Sequence, residues 1–84
     1  MSEPDDAAAT FAAERPRLVG LAYRMLGTPD DADDVVQDAW FRWEAADRSA
    51  IREPAAWLTT VTTRLAIDRL RSARARREVY VGPW

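Results

Sequence analysis

Cysteine, histidine and lysine are all absent from this 84-residue chain. Without cysteine there is neither a disulfide framework nor thiolate chemistry. Without histidine the commonest general base and the commonest metal ligand are missing. No paired carboxylates stand out as a catalytic set, and no phosphate-cradling glycine loop occurs. The sequence therefore points away from an enzyme, a metal site or a cofactor. No apolar run approaches the ~20 residues of a membrane span, and the acidic start MSEPDDAAAT is neither a secretory signal nor a transit peptide. The expectation is a cytoplasmic protein without a membrane partner. All twelve basic residues are arginine. Arginine grips phosphate bidentately and stacks on bases, but a codon bias that replaces lysine throughout has the same outcome, so this absence decides nothing.

What is present suits one small domain. Hydrophobic residues make up 48% of the chain, and a chain of this size buries roughly 60–65% of its unfolded surface, a feasible but thin core. Charge is divided unevenly. Residues 1–47 hold four arginines and eleven acids, a net of −7, whereas residues 48–84 hold eight arginines and three acids, a net of +5. An acidic half and a basic half suggest two different partners, and the overall charge of −2 does not forbid nucleic acid.

The longest periodic stretch is PAAWLTTVTTRLAIDRLRSARARR, residues 54–77, about six turns of helix opened by Pro54 at the position that needs no N–H. At about 100° per residue, Trp57, Leu58, Val61 and Leu65 fall on one apolar arc, and Ala55, Ala66, Ile67 and Leu70 on a second. Two arcs predict a helix gripped from two sides. A polar stripe of Thr60, Arg64 and Arg71 has Trp57 and Asp68 at its margin, and Asp68 reads as the centre of an ion-pair network with Arg64 and Arg71. The helix ends in Arg69, Arg71, Arg74, Arg76 and Arg77. Such a run either answers the helix dipole or forms a track for a nucleic-acid backbone, beside a stripe of threonine, arginine and aromatic side chains offered to bases.

Upstream, residues 1–6 read as a frayed start, and a helix begins near Asp6 with Asp5 or Asp6 as its cap. Pro16 either kinks this helix or splits it near Glu14, while Phe11, Leu18, Leu21, Ala22 and Met25 keep one face across the proline. Gly27 closes it. Thr28-Pro29-Asp30-Asp31 opens a second helix, with a cap, a proline at the first position and acids at the positive end. Its core stripe is Ala32, Val35, Val36, Ala39, Trp40 and Trp43. The opposite face carries Asp34, Gln37, Asp38 and Phe41, an aromatic ringed by polar groups, which reads either as a protein-binding anchor or as a solvated acidic face. Residues 47–53 form a polar loop with Arg48, Arg52 and Ile51, the last either a core plug or a ligand contact. After Arg77 the tail EVYVGPW predicts an extended linker from residue 78, leaving residues 1–77 as the domain. The fold class is all-α, a bundle of three principal helices.

The runs DADDVVQDAWFRW and PAAWLTTVTTRLAIDRLRSARARR, preceded by PRLVGLAYRMLG, resemble the region-two domain of bacterial extracytoplasmic-function sigma factors over residues 8–77. The tail YVGPW resembles the linker start of a subgroup that continues into a second DNA-binding domain and a SnoaL-like C-terminal extension, with which this domain would make intramolecular contacts. The resemblance implies a transcription initiation factor. It assigns Asp34, Gln37, Asp38 and Phe41 to the clamp helices of the largest subunit of core RNA polymerase. It assigns the loop 48–53, with Arg48 and Arg52, and the last helix, with Trp57, Thr60, Thr63 and Arg64, to the non-template strand of the minus-ten promoter element, one base being flipped into a pocket. Arg71 and Arg74 would hold phosphates along the helix end. Thr63-Arg64 stands where many members carry Arg-Asn, so base preference does not carry over. Two other classes remain open: a helical protein-interaction module, and a helix-turn-helix DNA binder, which the seven-residue loop before a long final helix fits poorly.

Overall fold

The computed structural model describes residues 6–81, with side chains to Arg76. Residues 1–5 of the frayed start expected over residues 1–6, the Arg77 end of the basic run, the Tyr80 and Trp84 side chains and the break expected at Gly82-Pro83 lie outside them. Three helices, α1 (Ala7–Leu26), α2 (Pro29–Ala45) and α3 (Pro54–Val81), are joined by a two-residue turn and by a loop that holds a 3₁₀ turn, Arg48–Ala50. All-α architecture with three principal helices is as expected. No helix of the described chain is long and apolar enough to cross a membrane.

Local chemistry accounts for most of the element boundaries. Gly27 adopts φ 87°, where a side chain would be strained, and its N–H donates to the Tyr23 carbonyl at 2.8 Å. The Thr28 hydroxyl then accepts from the Asp31 N–H at 3.2 Å, and Pro29 occupies the first helical position of α2. α1 settles the alternative left open at Pro16 and lacks the side-chain cap expected at its start. It is a single helix with Pro16 inside it rather than two pieces, because the shared apolar face of Phe11, Leu18 and Ala22 packs on both sides of the proline and outweighs one lost backbone bond. Asp6 sits at the cap position, but its side chain makes no capping bond; only its carbonyl is used, by the Thr10 N–H at 2.8 Å. At the other end, the extended tail does not begin at residue 78, since α3 continues to Val81.

The helices run up, down and up. Ala7 at the start of α1 meets Trp43 near the end of α2, and Asp31 at the start of α2 meets Arg69 well along α3. The Arg17 guanidinium ties α1 to the first turns of α3, donating to Thr59 Oγ1 at 2.8 Å and to the Ala55 carbonyl at 3.2 Å. The core gathers Phe11, Leu18 and Ala22 from α1, Val35, Val36, Ala39 and Trp43 from α2, and Leu58 and Ala66 from α3. The two-arc reading of α3 needs correction. Ala55 is exposed, and Ile67 and Leu70 are 36% and 42% exposed, so of the second arc only Ala66 is buried. The buried band is instead centred on Thr62, which is fully covered and lies between the arcs. Its hydroxyl has no hydrogen-bond partner among the described residues, an unfavourable arrangement held by the packing around it.

Candidate nucleic-acid interface

The loop between α2 and α3 is a folded structure. The last carbonyls of a helix lack internal partners; here Arg48 Nη1 donates to the Trp43 carbonyl at 2.7 Å and to the Glu44 carbonyl at 2.8 Å. Asp47 Oδ1 accepts from the Ser49 N–H at 3.2 Å and from its hydroxyl at 2.6 Å. The Ile51 N–H donates to the Arg48 carbonyl at 3.1 Å, closing the 3₁₀ turn. The Ile51 side chain packs against the core, as the core-plug reading expects, and also borders an open groove.

That groove, about 650 Å³, runs between the loop and the first turns of α3, and its walls include Asp47, Ile51, Arg52, Trp57, Thr60 and Arg64. A second groove of about 720 Å³ lies between α2 and α3, walled by Asp38, Phe41, Arg42, Trp57, Val61 and Arg64. The two share Ala46, Trp57, Val61 and Arg64. Trp57 is half-buried and tilts against Trp43, ring centroids 5.6 Å apart. Trp43 in turn is 3% exposed and donates its indole N–H to the Ala7 carbonyl at 2.9 Å. An aromatic pillar rooted in the core thus presents one ring to both grooves.

Of the residues that the resemblance implies for DNA, Arg52, Trp57, Thr60 and Arg64 line one groove. Thr63 does not join them: it lines neither groove and is half-buried, because it lies about 100° around the helix from Arg64. Arg48 faces the end of α2 with the bonds described. Arg71 and Arg74 are exposed on α3 beyond the grooves. On α2, Asp34, Gln37, Asp38 and Phe41 are all exposed, Phe41 by 55%. Their spacing puts them on one side of α2. Asp38 and Phe41 line the groove shared with Trp57 and Arg64, and Asp34 Oδ2 is ion-paired to Arg69 Nη2 at 3.0 Å.

Arg69 also binds Asp31 Oδ1 through Nε at 3.2 Å and Nη2 at 3.0 Å. The Thr28 hydroxyl first, and then the Arg69 guanidinium, hold the Asp31 carboxyl below its ordinary range. Arg69 thus pairs α3 with two carboxylates of α2. Asp68, expected at the centre of a network, makes no ion pair among the described residues. Two contributors escape sequence reasoning. Arg42 joins the second groove, and its only signal was its place one residue after Phe41. Trp43 was legible as core but not as the support of Trp57.

Residues 10–76 match the Sigma-70 region 2 family. Among curated proteins, the chain is 54% identical over 74 residues to the "ECF RNA polymerase sigma factor SigJ" of Mycobacterium tuberculosis, covering 88% of this chain and 23% of that protein. It is 42% identical over 78 residues to the "Probable ECF RNA polymerase sigma factor SigI" of the same organism, covering 93% and 27%. It is 36% identical over 62 residues to the "ECF RNA polymerase sigma factor SigW" of Bacillus subtilis, covering 71% and 33%. The chain spans about a quarter of the length of the first two relatives. No solved structure matches it.

Proposed function

Because the chain belongs to the Sigma-70 region 2 family, we propose that it is the part of a transcription initiation factor that joins core RNA polymerase to promoter DNA and holds the opened non-template strand of the minus-ten element. The observation that carries this reading is the groove in which Arg52, Trp57, Thr60 and Arg64 converge beside a structured loop. Strand separation leaves bases unstacked, and an aromatic or guanidinium face returns about 1–3 kcal/mol of stacking per base. Arg71 and Arg74 continue the track along α3 and serve phosphates. Phe41, with Asp38 and Gln37 beside it, supplies an apolar anchor with a polar rim for the clamp helices of the polymerase, a setting typical of binding hot spots. Asp34 contributes from its ion pair with Arg69. No catalytic step is required, and the site of action is the cytoplasm. The resemblance of YVGPW supports the finer assignment to the subgroup with a SnoaL-like extension, with residues 78–84 leading toward a second domain.

Titration of a labelled single-stranded oligonucleotide at several salt concentrations tests the reading. The affinity should fall with salt, and Arg52→Ala with Arg64→Ala should lower it and flatten the salt dependence by about 0.7 in slope per lost phosphate contact. Salt-insensitive binding, or none, would favour the second reading, a protein-interaction module, for which the exposure of Phe41 is the supporting observation.

A further inference from the structure

We propose that Arg48 is a positioning residue, one that shapes the strand-binding groove by pinning the loop and the aromatic pillar without itself contacting phosphate; this rests on the strand-binding reading above. Three sets of contacts with described residues converge on it. Its Nη1 is engaged by two carbonyls at the end of α2, Trp43 and Glu44, at 2.7 and 2.8 Å. Its guanidinium carbon lies 5.7 Å from the centroid of the Trp43 ring, within the range of a cation–π contact. Its own carbonyl accepts the Ile51 N–H at 3.1 Å, which closes the turn that leads into Ile51 and Arg52.

Each contact has a consequence for the groove. The cap ends α2 at Ala45 and turns the chain back toward α3. The ring contact presses Trp43 from the loop side, and Trp43 supports Trp57 at 5.6 Å. The turn sets where Ile51 and Arg52 enter the groove wall. A loop that is already ordered does not have to be ordered when the strand arrives, which is how preorganisation raises affinity without a new contact. A phosphate contact and a positioning contact both predict lost affinity when Arg48 is changed. They differ in salt dependence, because only a lost phosphate contact changes the number of counterions released.

The test uses the same oligonucleotide titration across a salt series on the wild-type chain, Arg48→Ala, Arg48→Lys and Arg64→Ala. For Arg48→Ala the affinity should fall about fivefold with the slope unchanged, while Arg64→Ala should lose about 0.7 of slope. Arg48→Lys keeps the charge but has no planar fork to span two carbonyls and lie on a ring, so it should behave like Arg48→Ala. A reduced slope in Arg48→Ala, full affinity in Arg48→Lys, or unchanged affinity in both would overturn the proposal. Amide hydrogen exchange at Ser49 and Ile51 provides a readout independent of DNA. It should quicken about tenfold in Arg48→Ala, the mark of a local opening weakened by roughly 1.4 kcal/mol, with the amides of α1 unaffected; unchanged exchange at these two positions would overturn it equally. If the wild-type chain binds no oligonucleotide, the strand-binding reading fails, and the exchange data still decide whether Arg48 holds the loop.

Discussion

The seam between α2 and α3 has two unlike ends. At one, Arg69 spans Asp31 and Asp34 at 3.0 Å each, so its charges are answered within the molecule. At the other, Trp43, Trp57, Phe41 and Arg64 leave open grooves with an exposed ring and guanidinium groups on their walls. Both ends draw on the acidic α2 and the basic α3. The difference teaches that charge alone does not mark a binding surface. Arg69 and Arg64 are five residues apart on one helix, yet one meets carboxylates across the seam and the other lines the open space.

The comparison can be broken most forcefully at the aromatic end. Trp43→Ala removes the pillar beneath Trp57 together with the indole bond to Ala7, and truncations of this kind cost about 3–5 kcal/mol. Urea denaturation should show that loss, and a change under 1 kcal/mol would mean the open end is not held up by Trp43.

A second test asks whether the open end is one surface or two. The sequence alone suggests that the α2 acids and the α3 arginines can be separated, so that changing Asp38 and Phe41 leaves DNA binding intact. Their placement in the groove of Trp57 and Arg64 changes that expectation. Asp38→Arg should weaken binding of a polymerase clamp fragment and, by exchanging a carboxylate for a cation near Arg64, tighten oligonucleotide binding severalfold at low salt. Unaltered oligonucleotide binding would restore the picture of two independent faces.

The smallest effect belongs to the ion-paired end. Arg69→Ala should lower stability only slightly near neutral pH, because the groups it pairs with are exposed to solvent that screens them. The Asp31 carboxyl is held below its ordinary 3.8 in the folded chain. Its contribution is therefore present above that value and is lost as pH falls through the folded-state value. Thermal midpoints of wild type and Arg69→Ala should converge in that acid range. A gap that persists there would mean Arg69 acts through packing of its aliphatic stem.

Helix starts and stops were legible where the signal is local. Gly27, Thr28-Pro29 and Pro54 act within a few residues of themselves, and the i, i+3, i+4 spacing of Val35, Val36, Ala39 and Trp43 needs only one helix to be read. The site was legible in its residue types: Arg52, Trp57, Thr60 and Arg64 share a stripe of one helix and the loop before it, so periodicity and adjacency suffice to name them. Thr63 came into the set through the resemblance; in the structure it lines neither groove, because successive residues of a helix point about 100° apart and Arg64 takes the groove side.

By itself, then, the sequence determined three helices, most of their boundaries, an acidic and a basic half, and the chemistry of the groove wall. Tertiary structure decided which side of α3 is buried. The band centred on Thr62 is set by the position of two other helices, so the apolar Ile67 and Leu70 stay outside it while a threonine goes in. It also decided the fate of individual charges. Arg69 meets Asp34 across 35 residues of chain, and Arg48 turns back onto the end of α2 rather than outward. Periodicity fixes the direction of a side chain about its own helix axis, but the partner it meets depends on where another helix lies, and that depends on the packing of the whole core.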